Sequence, residues 1–288
     1  MMQLTAPADF QFRATIFSHG WCQLPPFSYD DTWLRRIERL TPNLLIQLHI
    51  ESSANGVQIT PDQPLNAAQE AEALALVRRC LCLDQEMRAF YTFLRDYPEF
   101  AWVESNGAGR LLRSSTVWED LAKTLLTTNT TWNMTRQMVA RLTEIGPRHA
   151  AGHAFPTPQE IAAFSPETLN EQVRAGYRGA YLHELATRIA EGSVDVEGWL
   201  DSDLPTPELY KRIRGLKGFG DYAAGSVLRL LGRHDYLGID SVARDMFRQK
   251  HNNGDKAPDS TIHAHYERFG EWRGLVMWMD VIAEDFVT

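Results

Sequence analysis

The residues best placed to do chemistry lie in one stretch, "RGLKGFGDYAAGSVLRL", in which a single residue separates Gly218 from Gly220. The amphipathic patterns on either side predict two helices joined by a short turn. Such a turn exposes backbone N–H groups at the start of the second helix, where the helix dipole favours negative charge. Because glycine has no Cβ, a phosphate can come close to the chain there. The pattern indicates an anion site, and a purely structural turn is the alternative.

The turn follows the pattern hydrophobic-x-Gly-hydrophobic-Gly, which is that of a helix-hairpin-helix. This motif holds the sugar–phosphate backbone of DNA without reading its sequence. We expect Phe219 to point into the core and hold the turn, and Lys217 to contact phosphate. The hairpin therefore predicts a DNA-binding element.

A carboxylate follows the hairpin at Asp240, 18 residues after Tyr222. Asp240 directly precedes the helical pattern "SVARDMF", so it can cap that helix. Arg244 lies four residues further on and would keep Asp240 ionised if both side chains face the same cleft. Asp240 can be a helix cap, a catalytic carboxylate, or both at once.

A hairpin followed at this distance by an aspartate resembles the helix-hairpin-helix DNA glycosylase superfamily, which includes endonuclease III and the adenine-mismatch, 8-oxoguanine and alkylpurine glycosylases. The resemblance implies that Asp240 is the catalytic aspartate. It covers roughly residues 90–288. Over the first 90 residues it is architectural only, because alkylpurine and 8-oxoguanine glycosylases carry an antiparallel sheet domain there.

Two further segments resemble the 8-oxoguanine branch. The stretch "GRLLRSSTVWEDLAKTLLTTNTT" implies that Asn129 enters the duplex and contacts the base left unpaired. The stretch "AGYRGAYL" implies that Tyr177 wedges into the base stack and that Arg178 contacts the orphaned base. From the residues alone, Asn129 can cap a helix, Tyr177 can be a packed surface aromatic and Arg178 a solvated charge.

The sequence also departs from parts of the family. Bifunctional members have a lysine where Tyr222 stands, and its amine attacks the sugar and permits strand cleavage through a Schiff base. A tyrosine cannot do this. Three cysteines cannot supply the four-cysteine iron–sulfur loop of endonuclease III. Ser241-Val242 replaces the Thr-His that follows the aspartate in many members. The resemblance therefore implies an iron–sulfur-free, monofunctional glycosylase.

The activity that follows is removal of a damaged base from duplex DNA, with alkylated purines as the expected substrates. Tyr222 and Trp278 would stack on such a base, which is cationic. An oxidised-purine or mismatched-base glycosylase is the alternative, and Trp278 can instead be a core residue. A non-catalytic DNA-binding or damage-sensing protein is a further alternative, disfavoured by Asp240. A metal-dependent hydrolase built on His149 and His153 is disfavoured by the helix breakers around them.

The elements that must position these residues change character near residue 65. Short runs at 10–17, 43–52 and 56–60 predict strands. Beyond them the patterns are helical. We predict an α+β fold, with a small antiparallel sheet domain carrying a helix over residues 1–90. An all-helical glycosylase body follows over residues 91–288, with its helix-hairpin-helix near 205–232. The predicted helix caps are Asn66, Ser115 or Thr116, Thr157 with Glu160, and Ser165 with Pro166.

Composition sets the remaining bounds. The net charge is −8, yet residues 205–250 hold nine basic and five acidic side chains, so the hairpin region is locally basic. The chain has no apolar run of about 18 residues and no secretory signal, so we expect a cytoplasmic protein, nucleoid-associated in a bacterium, that does not bind membranes. We expect a monomer that binds double-stranded DNA containing a damaged base and uses no cofactor or metal. The cysteines, which form no disulfide framework, are Cys22, Cys80 and Cys82.

Overall fold

The computed structural model describes residues 1–287. The chain forms two compact units, each made of two segments. The first unit comprises Met1–Gln85 with Arg110–Gly198, and the second comprises Glu86–Gly109 with the chain from Trp199 onward. The domain division near residue 90 stays a prediction from sequence pattern, and the last residue of its second part, Thr288, lies outside the described residues.

The first unit contains a five-stranded antiparallel sheet in the order β1-β5-β4-β3-β2. A two-stranded hairpin, β6–β7, lies among the helices that follow. The predicted sheet is therefore confirmed, and the predicted all-helical body is mostly rather than entirely helical. The strands are β1 (Met2–Thr5), β2 (Phe27–Tyr29), β3 (Trp33–Thr41), β4 (Leu44–Ser53), β5 (Gly56–Pro61), β6 (Arg148–His149) and β7 (Gly152–His153).

Helices form most of the remaining regular structure of the described chain. In that part of the chain no helix is both long and apolar enough to cross a bilayer. In the first unit they are α1 (Phe12–Ile16), α2 (Ala67–Cys80), α5 (Val117–Thr127), α6 (Trp132–Thr143), α7 (Pro158–Ala162), α8 (Pro166–Val173) and α9 (Tyr177–Ala190). In the second unit they are α3 (Arg88–Leu94), α4 (Ala101–Ser105), α10 (Thr206–Arg214), α11 (Asp221–Leu230), α12 (Ser241–His251), α13 (Asp259–Glu267), α14 (Arg273–Ile282) and α15 (Glu284–Val287).

One predicted strand is wrong. Residues 10–17 contain helix α1, whereas the strands predicted at 43–52 and 56–60 correspond to β4 and β5. In α1 the buried side chains include Phe12, Thr15 and Ile16, which follow the i, i+3, i+4 spacing of a helix. The same run also alternates apolar and polar residues, as a strand does. In so short a segment the helical and strand periodicities cannot be told apart.

The predicted caps are confirmed where the chain enters its helices. Asn66 and Thr157 each form a reciprocal capping box with the residue three positions on. Thr116 caps α5 by accepting from the Glu119 N–H, and Ser165 caps α8. Because each cap satisfies a backbone donor at the first turn, these side chains fix where the helices begin.

A charged cluster is buried inside the first unit. Arg36 of β3 donates two bonds to the Glu119 carboxylate, at 3.1 and 2.6 Å, and Lys123 lies 2.7 Å from the same carboxylate. All three side chains are at most 1% exposed. Burial alone would raise the pKa of Glu119, but the two cations outweigh it and lower that pKa to about 2. The cluster joins the sheet to α5.

Candidate functional site

The hairpin in the second unit has the predicted form. Helices α10 and α11 are joined by residues 215–220, and Phe219 within the turn is 2% exposed. Its N–H donates to the Leu216 carbonyl at 3.2 Å, and its carbonyl accepts from Arg214 Nη1 at 3.1 Å. The prediction that Phe219 points inward and holds the turn agrees with this burial.

The two glycines of the hairpin differ in whether the backbone conformation requires glycine. Gly218 has φ +87°, a left-handed conformation that side chains with a Cβ rarely adopt. Gly220 has φ −75°, and a Cβ added there would meet no atom of the described chain within 4 Å. The fold therefore explains glycine at 218 but not at 220. The space above Gly220 is open to whatever approaches the hairpin from outside.

The first turn of α11 carries the donors of the proposed anion site. Gly220 is its N-cap, and no side chain of the described chain caps it. The Asp221 carboxylate is turned aside, since it accepts from the Tyr210 hydroxyl at 2.5 Å and lies 3.0 Å from Arg214 Nε. Burial and this carboxylate raise the pKa of Tyr210 to about 12. Lys217 is exposed beside the same turn.

Asp240 lies at the start of α12 as its N-cap and is half-buried. Its Oδ1 accepts from the Ala243 N–H at 2.8 Å, so the capping role is confirmed. The expectation that Arg244 keeps Asp240 ionised is only partly met, because the two interact by charge but Asp240 is not the carboxylate to which Arg244 is hydrogen-bonded. The Arg244 guanidinium instead donates to both oxygens of Asp259, at 2.7 and 2.8 Å. That fork is the main cause of the raised pKa of Arg244, to which Asp240 adds less.

Close backbone packing places Asp240 near Tyr222. A Cβ added at Gly225 would lie 2.5 Å from the Leu237 carbonyl oxygen, and one at Gly238 would lie 3.1 Å from the Tyr222 carbonyl oxygen. Helix α11 therefore lies directly against the segment that leads into Asp240. Glycine inside a helical pattern is the sequence signal that could have revealed this packing.

Sequence reasoning missed one residue of this region, Arg229. It lies on α11 seven residues after Tyr222, which is two helical turns and hence nearly the same face. Its side chain is 5% exposed, its Nη1 donates to the Gly274 carbonyl at 3.2 Å, and its guanidinium lies 4.7 Å from the centre of the Trp278 ring. Burial lowers the pKa of Arg229 to about 10, against the raising influence of Tyr222 and Asp240, so it is charged at neutral pH.

The two tryptophans of the closing segment have different surroundings. Trp278 in α14 is half-buried, with Arg229 over its ring. Trp272 packs at a tilt against Phe90, with 5.1 Å between ring centres, and stacks on His234 at 5.6 Å. Both tryptophans pack against the core of the second unit, and Trp278 in addition lies beside the buried Arg229, whose charge also acts on Asp240.

In the first unit the structure brings Asn129 and Tyr177 together. Asn129 is exposed, has φ +48°, and donates from Nδ2 to the Tyr177 hydroxyl at 3.2 Å. Tyr177 is the first residue of α9 and is 49% exposed. The two side chains form one projecting pair, as the resemblance implies, and their contact with DNA stays a prediction.

Arg178 is buried behind this pair, so its interpretation as a solvated charge is wrong. Its Nε donates to the Thr128 carbonyl at 2.7 Å and its Nη2 to the Asn129 carbonyl at 2.8 Å. The guanidinium also lies 4.6 Å from the centre of the Tyr177 ring. In this structure Arg178 holds the turn that presents Asn129 and backs the ring of Tyr177. A contact with an orphaned base stays a prediction.

The comparisons with known proteins identify the fold. No family model and no curated protein matches the sequence. Solved structures do match. A 3-methyladenine DNA-glycosylase from Archaeoglobus fulgidus has a TM-score of 0.77 at 16% identity, over 99% of each chain. An 8-oxoguanine glycosylase/lyase from Clostridium acetobutylicum, in its apo form, has a TM-score of 0.72 at 15% identity, over 95% of this chain and 93% of that one.

A third match is the 3-methyladenine DNA glycosylase of Schizosaccharomyces pombe in complex with abasic DNA, with a TM-score of 0.56 at 21% identity. It covers 68% of this chain and 96% of that one. The chain thus has the architecture of an antiparallel sheet followed by a mostly helical body. That architecture is the fold of the helix-hairpin-helix DNA glycosylases, which confirms the resemblance at the level of fold.

Proposed function

We propose that this protein is a monofunctional DNA glycosylase, which extrudes a damaged base from duplex DNA and hydrolyses its N-glycosidic bond. The observation that carries the proposal is the placement of Asp240. This half-buried carboxylate caps α12, and the segment that leads into it packs against the helix that begins at the open hairpin. The shared fold supports a DNA glycosylase, because the matching structures include a 3-methyladenine DNA-glycosylase and an 8-oxoguanine glycosylase/lyase.

The chemistry needs one well-placed carboxylate. As the bond between the sugar C1′ and the base nitrogen breaks, its electron pair goes to the base and positive charge grows on the sugar. An ionised Asp240 beside the sugar stabilises that charge. Water then adds to C1′, and its proton passes to Asp240 or to solvent. The products are the free base and a strand with an abasic site.

Extrusion of the base requires something to fill the gap. Unstacking and unpairing a base costs a few kcal/mol, and less for a lesion that pairs badly. We assign this role to Tyr177 with Asn129, whose hydrogen bond joins them at the surface of the first unit. Arg178 supports both from behind, because it holds the turn between α5 and α6 that carries Asn129 and lies against the ring of Tyr177.

The monofunctional assignment rests on Tyr222. A phenol is no substitute for the amine that forms a Schiff base with the sugar, so water is the remaining nucleophile. Lys217 is the one lysine of the connecting turn, residues 215–220, and its exposed position beside the first turn of α11 suits a contact with phosphate. We propose alkylated and oxidised purines as the candidate substrates.

The glycines of the hairpin give a first prediction. Gly220→Ala should weaken binding to damaged and undamaged duplexes by the same factor, because the hairpin contacts backbone phosphate. Its melting temperature should be that of the wild type, since the new Cβ meets no protein atom. Gly218→Ala should instead lower the stability, by on the order of 1 kcal/mol. Fluorescence anisotropy and thermal unfolding measure the two effects. A loss of affinity confined to lesion duplexes would place the hairpin at the base pocket instead.

The function itself is tested by base release. The protein is incubated with duplexes that each carry one alkylated, oxidised, deaminated or mismatched base, and the free bases are identified by mass spectrometry. We expect at least one damaged base to be released far faster than from the same duplex without protein. Binding of lesion duplexes without release of any base would favour the non-catalytic, damage-sensing alternative.

A further inference from the structure

We propose that Arg229 makes this protein selective for damaged bases that are uncharged, and that it disfavours the cationic N-alkylated purines. The inference rests on the function proposed above and names the substrate class of the same site. Its basis is a buried guanidinium that lies over the ring of Trp278, on the same helix face as Tyr222, and whose charge acts on Asp240.

The position of Arg229 is fixed from two sides. Helix α11 carries it on the same face as Tyr222, and its Nη1 is bound to the Gly274 carbonyl at the start of α14. The charge acts on the Asp240 carboxylate, which favours the protonated form of Arg229. A charge that is 95% removed from water is weakly screened, so it is felt by a base bound among these groups.

Trp278 gives the second observation. A cationic base gains from stacking on a tryptophan, which is the reason for expecting alkylated purines here. The guanidinium of Arg229 already lies over that ring, with 4.7 Å between its carbon and the ring centre. The cation–π partner of Trp278 is therefore part of the protein itself. A second cation brought to this ring would meet a like charge.

The chemistry of bond breakage points the same way. When an uncharged base leaves, it takes the electron pair of the C1′–N bond and becomes an anion until it is protonated. A nearby guanidinium stabilises that developing negative charge. When a cationic base leaves, the same electron pair makes it neutral, so it gains nothing from the guanidinium and is repelled before the reaction. Arg229 therefore assists the departure of an uncharged base and opposes the binding of a cationic one.

A purely structural role for Arg229 is the competing explanation, because it also ties α11 to α14. The two roles are separable by substitution. Arg229→Gln removes the charge and keeps an N–H donor for the Gly274 carbonyl, whereas Arg229→Lys keeps the charge. A structural role slows all substrates alike, while an electrostatic role changes their ratio.

The test measures single-turnover rates of base release from duplexes that differ only in the lesion: 7-methylguanine, which is cationic, and 8-oxoguanine and 1,N6-ethenoadenine, which are neutral. Arg229→Gln should slow release of the neutral bases relative to 7-methylguanine by about tenfold to a hundredfold. Arg229→Lys should keep the wild-type order. Equal slowing of all three bases by Arg229→Gln would overturn the proposal.

If Arg229→Gln fails to fold, the rates of base release by the wild-type protein test the proposal independently. The wild type's acceleration over spontaneous release should be larger for at least one neutral base than for 7-methylguanine. A larger acceleration for 7-methylguanine would overturn the charge selectivity while leaving the proposed function intact. Release of no base from any duplex, in the full lesion panel as well, would overturn the proposed function itself.

Discussion

Replacing Asp240 with asparagine should slow base release by about a hundredfold to a thousandfold, with the affinity for the lesion duplex close to that of the wild type. The amide has no charge with which to stabilise the positive sugar. Asparagine is as good an N-cap as aspartate, so the bond to the Ala243 N–H and the start of α12 are kept. Single-turnover rates and fluorescence anisotropy on one lesion duplex measure the two quantities.

A matched control is available on the same helix. Asp245 is an exposed carboxylate of α12 that pairs with Arg248 at 2.6 Å. Asp245→Asn therefore removes the same charge from the same helix, and it should leave the rate of base release unchanged. If Asp240→Asn releases base within a few-fold of the wild type, or if both variants slow the reaction equally, the catalytic assignment of Asp240 is wrong.

The second large effect concerns stability. Glu119→Gln should lower the free energy of unfolding by about 3–5 kcal/mol, because it removes one partner from a buried ion cluster. Lys123 would remain in the interior without the carboxylate that compensates it, and Arg36 would keep Glu38 as its carboxylate partner. Urea unfolding followed by circular dichroism measures the change. Glu104→Gln is the matched control, since Glu104 pairs with Arg95 at the surface, and it should leave the unfolding midpoint unchanged.

The same cluster predicts a pH dependence. The pKa of Glu119 is about 2 in the folded protein, below the 4.5 of the free side chain. Its contribution to stability is therefore complete above pH 4.5 and is lost as the pH falls from 4.5 towards 2. The wild type should lose more stability over this interval than Glu119→Gln does. Equal losses in the two proteins would contradict the assignment.

The parts of the site that depend on local rules could be predicted from the sequence. The hairpin follows from its glycines and flanking helices, and the cap at Asp240 follows from its position before a helical pattern. Both depend on residues that are close together in the chain. The assignment of Asn129 and Tyr177 as a pair came from the family resemblance, because 48 residues separate them and no spacing rule connects them.

The choice of partners for charged side chains could not be predicted. Arg244 can reach either Asp240, by helical spacing, or Asp259, which tertiary packing brings to it, and the structure shows the bidentate bond to Asp259. Nothing in the sequence marks Arg229 as buried, and Arg178, for which a solvated charge is one interpretation, is buried as well. An arginine can be buried where carbonyl groups accept its hydrogen bonds or an aromatic ring packs on its guanidinium. These partners come from segments distant in the sequence.

The most direct test of the central claim analyses the damaged strand after turnover. The protein is incubated, with and without borohydride, with the lesion duplex from which it releases the base fastest. The masses of the damaged strand and of the protein are then measured by mass spectrometry. With Tyr222 at the lysine position, we predict an unbroken strand with one abasic site, one equivalent of free base, and no covalent complex. A cleaved strand or a borohydride-trapped complex would contradict the account. If the trapped complex formed with the wild type and was lost in Lys217→Ala, Lys217 would be the nucleophile.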